Sequence, residues 1–243
     1  MFKRGQFMIN GHHSEEFGVF MTKRPPKLAA TRVIELRERV GNDSIVIDKA
    51  YYKNLERSID CYYKAPSLDL VQEYEDQITA WLDMSGYSDF AAYFDEQYIY
   101  QAVVISPPSF TGTRRNGNIV PFSFKVSIRP FKENHVGRLA LLNKTKLFNT
   151  EKYPALPVIK LTGRGDASFW VNGTEYKLKG LDRELIIDSK LEESYRTLDG
   201  NVEHQDRVTL FDDFPVLPPG QIDMSWSSNI QKFEIIPGWR RKV

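Results

Sequence analysis

The amino-acid sequence predicts a mainly β fold with one principal helix. Valine, isoleucine, threonine and aromatic residues occur in short runs that glycine, proline, asparagine and aspartate interrupt, a pattern typical of short strands joined by turns. Apolar residues recur at spacings of three and four in one long segment, residues 67–84, which indicates a single amphipathic helix. The 243 residues suffice for one large or two modest domains.

The helix carries its apolar residues on one stripe, so we expect one side of it to pack against a sheet. Ser67 is the predicted N-cap, because serine hydroxyls accept hydrogen bonds from the free N–H groups of a first turn. Gly86 is the predicted stop signal after the helix. The stripe consists of Leu70, Val71, Tyr74, Ile78, Trp81 and Leu82.

The strands of the first half are predicted from aromatic and alternating segments. Residues 90–105 indicate a strand or two, which Pro107 and Pro108 interrupt. Apolar and polar residues then alternate through residues 119–128, which predicts a half-buried strand with one solvent-exposed face. Between these segments lies the sequence Arg114-Arg115-Asn116-Gly117, and Asn-Gly is a strong signal for an extended hairpin.

A polar, proline-containing stretch at residues 132–157 is the predicted domain boundary. We therefore divide the chain into an N-terminal domain, residues 1–135, and a C-terminal domain, residues 136–243. The second domain shows short apolar segments around residues 157–161, 169–171, 174–178 and 185–188. Asn172-Gly173 predicts a two-residue type I′ hairpin. Together these features predict a β-sandwich, while residues 233–236 belong either to it or to the first domain.

Charge and cysteine content exclude several classes of protein. The 33 basic and 32 acidic residues leave a net charge of +1, which argues against a nucleic-acid binder that works through bulk electrostatics. Cys61 is the single cysteine, so the chain has neither an internal disulfide framework nor a cysteine-based zinc cluster. No apolar run approaches the ~20 residues that span a bilayer, so we expect no membrane partner.

Catalytic and metal-binding patterns are weak throughout. His12 and His13 are adjacent and would point to opposite faces of a strand, which disfavours a shared ion. Phosphate-loop and Gly-x-Ser-x-Gly patterns are absent. We therefore expect no enzymatic activity, no cofactor and no metal. A calcium site remains an alternative for the scattered carboxylates of Asp199, Asp212, Asp213 and Asp223.

The basic and aromatic residues supply the candidate interface positions. Arg114 and Arg115 lie at the predicted hairpin tip, with Asn116 and Gly117. Trp239 stands between Gly238 and Arg240 near the C-terminus, and we interpret Trp239 and Arg240 as candidate interface or docking residues. The other tryptophans are predicted core residues: Trp81, Trp170 and Trp226.

Three passages resemble the distal tail proteins of long-tailed, non-contractile phages (siphophages). The opening combines Phe7-Met8-Ile9-Asn10-Gly11 with a Ser-acid-Phe-Gly-aliphatic segment at residues 14–19. The helix ending in Trp81-Leu82 is followed by Gly86 and an aromatic strand pair. The most specific passage is the ending, where residues 214–220 read Phe-Pro-Val-Leu-Pro-Pro-Gly and precede Trp226 and the segment Ile236-Pro237-Gly238-Trp239-Arg240.

This resemblance implies a fold and a structural role. It implies an N-terminal β-sandwich with a helix and an extended hairpin, and a C-terminal galectin-like β-sandwich. Six subunits would form a ring at the virion tail tip, after synthesis in the bacterial host cytoplasm. The partners would be the tail tube protein and a tail-associated fibre or lysin protein, with phage DNA passing through the channel. The hairpin at residues 114–117 is the candidate clasp between subunits.

Two other functions remain open from the residues alone. The first is a virion carbohydrate-binding adhesin, in which Trp170 or Tyr176 of the sandwich stacks on a saccharide. The second is a cell-wall hydrolase that uses scattered carboxylates, since the geometry of a two-carboxylate site is spatial and leaves no sequence pattern.

Overall fold

Antiparallel strands make up most of the structure, a computed structural model that describes residues 1–111 and 118–243. These residues contain a single α-helix, so the predicted fold class, mainly β with one principal helix, is confirmed. The chain divides into a first unit, Met1–Lys132 with Lys242–Val243, and a second unit, Glu133–Arg241. No helix in the described ranges is both long and apolar enough to cross a membrane.

The strands of the first unit are β1 (Phe7–Ile9), β2 (His12–His13), β3 (Val19–Met21), β4 (Arg32–Arg39), β5 (Asn42–Tyr52), β6 (Leu55–Lys64), β7 (Ser88–Ala92), β8 (Tyr98–Phe110) and β9 (Ile119–Ile128). Most of them form an antiparallel sheet with the strand order β2-β1-β7-β8-β9-β6-β3. The remaining two, β4 and β5, form a separate two-stranded sheet. The chain passes from the first unit to the second within another short strand, β10 (Phe131–Asn134), between Lys132 and Glu133.

The helix of the first unit, α1 (Val71–Leu82), is shorter than the predicted segment. The prediction of Ser67 as its N-cap is wrong: Leu70 occupies that position and makes no side-chain cap bond. Residues 67–70 form a turn instead, in which the backbone N–H of Val71 donates to the carbonyl oxygen of Leu68 at 3.3 Å. The helix ends before Gly86, because Asp83 already has an extended conformation.

Packing of α1 follows the predicted stripe. Val71, Ile78, Trp81 and Leu82 are buried. The indole N–H of Trp81 donates to the carbonyl oxygen of Ile9 at 2.9 Å, which ties the helix to β1. Buried tryptophan needs such an acceptor, since an unpaired N–H in the core is costly.

Strands β8 and β9 confirm one prediction and correct another. The apolar residues of β9 face the core and are buried: Val120, Phe122, Phe124, Val126 and Ile128. Pro107 and Pro108 do not end β8, which continues to Phe110. The pairing of β8 with β9 instead shifts register between Val104 and Ser109, so irregular pairing accommodates the two missing N–H donors.

The strands of the second unit are β11 (Leu141–Leu142), β12 (Lys146–Asn149), β13 (Val158–Val171), β14 (Thr174–Asp188), β15 (Glu193–Leu198), β16 (Asn201–His204), β17 (Gly220–Trp226) and β18 (Ile230–Ile236). They form an antiparallel sheet with the strand order β11-β18-β13-β14-β15-β16, and β17 pairs with β12 and β13. The chain returns to the first unit within the last strand, β19 (Arg240–Lys242), between Arg241 and Lys242.

Two long strands replace the four short ones predicted around the Asn172-Gly173 hairpin. β13 and β14 pair along their lengths, with one irregularity between Gly165 and Ala167. The predicted two-residue turn is confirmed: Asn172 and Gly173 both have positive φ values, 49° and 83°, as a type I′ turn requires.

Candidate assembly interface

The β4–β5 hairpin is a separate two-stranded sheet within the first unit. Leu36 pairs with Val46 and Ile34 with Asp48, and the strands meet at a turn of Val40 and Gly41. Gly41 has a φ of 72°, a conformation that glycine adopts at no steric cost. The β-branched and alternating residues of β4 and β5 favour strands, and glycine closes the turn between them.

Apolar side chains on this hairpin are exposed. Leu36 is 62% exposed, Val46 59% and Ile34 49%, and Val40 at the turn is fully exposed. Among the described residues no third strand pairs with β4 or β5. A lone two-stranded hairpin is marginally stable in water, and a contiguous exposed apolar patch marks an interaction surface. The hairpin therefore has the character of an interface element.

The base of the hairpin is anchored by polar and aromatic contacts. The Arg32 guanidinium forms an ion pair with Asp48, and it also donates to the Tyr52 hydroxyl at 3.0 Å. This guanidinium and the N–H of Ala50 lower the pKa of the Asp48 carboxyl. Tyr52 packs edge-on against Phe131, and the ammonium of Lys242 lies 5.2 Å from the Tyr52 ring centroid. These contacts hold the start of the hairpin while the turn end stays exposed.

Sequence reasoning missed this hairpin. Its signal was present in the strand-favouring residues on both sides of Gly41-Asn42. The predicted clasp, Arg114, Arg115, Asn116 and Gly117, lies outside the described residues. On its flanks, the Thr111 hydroxyl donates to the carbonyl oxygen of Pro121 at 3.0 Å.

The C-terminal candidates lie in the second unit. Trp239 is 7% exposed and belongs to the apolar core of that unit. Arg240 is half-buried, and its Nε–H donates to the carbonyl oxygen of Pro154 at 2.7 Å. Burial lowers the pKa of Arg240, and the nearby Glu133 carboxylate opposes this effect. The docking role of these two residues stays a prediction.

The Glu133 carboxylate is paired with Arg138 and Lys190 within the second unit. It accepts from Arg138 Nε–H at 2.8 Å and from Lys190 Nζ–H at 2.7 Å, and the Glu133 side chain is 19% exposed. Burial raises the pKa of Glu133, but Lys190 and Arg138 more than offset it, so the pKa falls below the ordinary value of 4.5. The charged form is therefore stabilised by folding.

We expect Glu133→Gln to destabilise the second unit by about 2 kcal/mol at pH 7, because two cations lose their common carboxylate. A lowered folded-state pKa means that the carboxylate stabilises the protein above pH 4.5 and that this contribution is lost as the pH falls through the folded value. Urea unfolding of both proteins from pH 7 to pH 3 should show the difference shrinking below pH 4.5. A difference that is independent of pH would contradict this account.

The residues proposed for saccharide stacking separate in the structure. Tyr176 is buried and stacks on Phe169, with ring centroids 4.9 Å apart. Trp170 is half-buried and lines an open depression of about 420 Å³ with Gly173, Asp223, Met224 and Ser225. Trp226, like Trp170, is half-buried rather than a full core residue. The described residues contain no group of three His, Cys, Asp or Glu side chains that could hold a metal ion.

Comparison with known proteins gives matches among solved structures. No protein-family model and no curated protein match the chain. The crystal structure of the Dit protein of phage SPP1, described as a paradigm of the hub adsorption apparatus in phages that infect Gram-positive bacteria, superposes with a TM-score of 0.70 at 12% identity. The superposition covers 95% of this chain and 96% of the Dit chain.

Two structures of the phage P2 baseplate in its activated conformation, with Ca and with Sr, also match. Their TM-scores are 0.51 and 0.52, at 12% and 11% identity, and each covers 98% of both chains. The resemblance inferred from the sequence motifs is thereby confirmed at the level of the fold. The chain has, over nearly its full length, the fold of phage tail hub and baseplate proteins.

Proposed function

We propose that this chain is a structural hub protein of a siphophage virion. In this role it forms a ring of six subunits at the tail tip, which joins the tail tube to a fibre or lysin protein. The observation that carries the proposal is the similarity to the SPP1 Dit hub protein over 95% of this chain. The role requires no catalysis, and the order of the three sequence motifs supports it independently.

The exposed β4–β5 hairpin supports assembly. Its apolar side chains are exposed, and the described residues of the same chain do not pack over them. An arm on each subunit that inserts into its neighbour is a heterologous contact, and such contacts close into a ring when the rotation between subunits permits it. We assign the clasping role to this hairpin, and residues 114–117 remain the second candidate.

The near-zero net charge of the subunit is compatible with a channel through which DNA leaves the virion. A strongly basic subunit would bind the phosphate backbone tightly and retard its passage. The net charge of +1 avoids strong retention. The proposed ring is therefore a conduit for DNA rather than a DNA-binding protein.

Native mass spectrometry and negative-stain imaging of the purified chain test the proposal. We expect particles of six times the 28.2 kDa subunit mass, with six-fold symmetry and an open centre. Because a ring can require its neighbours, the measurement is repeated with the tail tube and tip proteins present. A chain that stays monomeric under both conditions would overturn the hub function.

A further inference from the structure

Arg57 of β6 is a buried cation for which the described residues supply no counterion. The residue is 9% exposed, and its Nε atom has no hydrogen-bond partner within the described part of the chain. The one hydrogen bond that the structure gives to its side chain runs from a terminal N–H to the carbonyl oxygen of Leu28, at 3.3 Å. None of the ion pairs found among the described residues includes Arg57. A charge removed from water without a paired carboxylate is unusual, because its desolvation is uncompensated.

Surrounding groups do not neutralise this guanidinium. Burial lowers the pKa of Arg57, the Tyr100 phenol opposes this, and the neighbouring Arg24 lowers it further. Arginine nevertheless stays protonated in proteins. Tyr100 donates its hydroxyl hydrogen to Asp95, and that carboxylate is also paired with Lys132. The local excess of positive charge is therefore available to an incoming anion.

A cavity of about 300 Å³ adjoins Arg57. The cavity is lined by two segments of the first unit: Lys23, Pro25, Pro26 and Leu28 from one, and Glu56, Arg57, Ser58 and Asp60 of β6 from the other. Of the carboxylates at this cavity, Asp60 is paired with Lys23 at 3.1 Å, and Glu56 is exposed to solvent. The cavity is large enough for a side chain that carries a carboxylate.

Beside this cavity, one edge of β6 lacks a strand partner among the described residues, because β3 pairs only with residues 61–63. The carbonyl oxygen of Asp60 accepts from the N–H of Thr22, and the N–H of Lys64 donates to Gly18, so even-numbered residues of β6 face this edge. Because main-chain groups alternate along a strand, Ser58 and Glu56 present their N–H and C=O groups in the same direction. β3 ends at Met21, and Pro25 and Pro26 have no N–H to offer. An extended segment can pair with this edge.

We propose that Arg57 is the receptor for a carboxylate carried by the β4–β5 hairpin of a second copy of this chain. The inference rests on the proposed ring for the source of the carboxylate. Two acidic residues flank the hairpin turn, Glu38 and Asp43, and neither forms an ion pair among the described residues. Within residues 1–111 and 118–243 no third strand pairs with β4 or β5, so the hairpin has two strand edges that complement the unpaired edge of β6 in the receiving subunit.

Arg57→Met tests the receptor in two measurements. Methionine fills much of the arginine volume without a charge, so we expect the dissociated subunit to unfold at the same temperature as wild type or higher. Replacing 100 mM NaCl with 100 mM sodium acetate should raise the unfolding temperature of the wild-type subunit and leave that of Arg57→Met unchanged, since a ligand that binds only the folded state stabilises it. Arg164→Met, which removes an exposed arginine of the second unit, should retain the acetate response.

The assembly measurement tests the source of the carboxylate. We expect Arg57→Met to weaken subunit association at least 10-fold, and the double variant Glu38→Gln with Asp43→Asn to do the same. Combining all three changes should add little, because the two sites act through one contact. Wild-type assembly that survives Arg57→Met, with the acetate response lost, would overturn the second copy as the source.

The receptor and the hub function fail in different ways. A wild-type subunit with no acetate response, together with a lower unfolding temperature for Arg57→Met, would show that Arg57 is structural and would overturn the receptor. A chain that never assembles would overturn the hub function, whereas the acetate response would still decide whether Arg57 binds carboxylates.

Discussion

Replacing Leu36 and Val46 with lysine is expected to abolish assembly of the proposed ring while leaving the subunit folded. The two side chains lie opposite each other in the hairpin and are 62% and 59% exposed. They already contact water in the free subunit, so the change alters its stability by only about 0.5 kcal/mol. In an interface each apolar side chain contributes about 1.5–3 kcal/mol by burial, and the variant replaces this gain with two charges to desolvate.

Size-exclusion chromatography with light scattering measures the outcome, and circular dichroism verifies the fold. The matched control is Leu198→Lys with Val202→Lys, which adds two lysines to exposed apolar positions of the β15–β16 hairpin in the second unit. The control should assemble as wild type does. A ring of unchanged mass from the Leu36 and Val46 variant would show that this hairpin is not the clasp, and residues 114–117 would become the next segment to test.

The sequence predicted best those strands whose two faces differ. In β9 the apolar residues face the core and the polar residues face solvent, so the period of two is visible in the sequence. The β4–β5 hairpin is exposed on both faces, so burial within the subunit places no such constraint on it. Strands without one buried and one exposed face leave a weak pattern of alternation in the sequence, which is why this hairpin was missed.

Long-range packing limited the prediction of the second unit. The sequence predicted a short strand around residues 157–161, yet β13 continues through Gly163 and Gly165 to Val171. Gly163 is needed because a Cβ at this position would lie 2.5 Å from the carbonyl oxygen of Asn229. That requirement comes from residues more than sixty positions away, so local turn chemistry could not reveal it.

The candidate site shows the same limit. The alternation of β6 places Arg57 on the inner face of the strand, but the sequence does not tell whether a buried arginine meets a carboxylate. Asp95, Lys132 and Tyr100 come together from separate segments, and only the folded chain shows that their charges are already paired. The excess charge at Arg57 is a property of the fold rather than of a motif.

Gly137→Ala is expected to destabilise the second unit by about 3 kcal/mol, because it forces overpacking against backbone. A Cβ on Gly137 would lie 2.4 Å from the backbone nitrogen of Trp239 and 2.8 Å from the Trp239 Cβ. The carbonyl oxygen of Gly137 also accepts from the N–H of Gly238 at 2.8 Å. Relief of the clash must therefore displace the Gly238-Trp239 backbone and with it a buried indole.

Hydrogen exchange measured by mass spectrometry localises this effect. We expect faster exchange throughout the second unit in Gly137→Ala and no change in the sheet of the first unit, since the altered contacts lie within residues 133–241. Gly86→Ala is the control, because a Cβ there meets no atom within 4 Å. Equal rates of hydrogen exchange in the two variants would contradict the close approach of Gly137 to the Trp239 backbone. If the approach is confirmed, the Pro-Gly-Trp ending of the motif holds the second unit together, and any docking by this ending falls to the partly exposed Arg240.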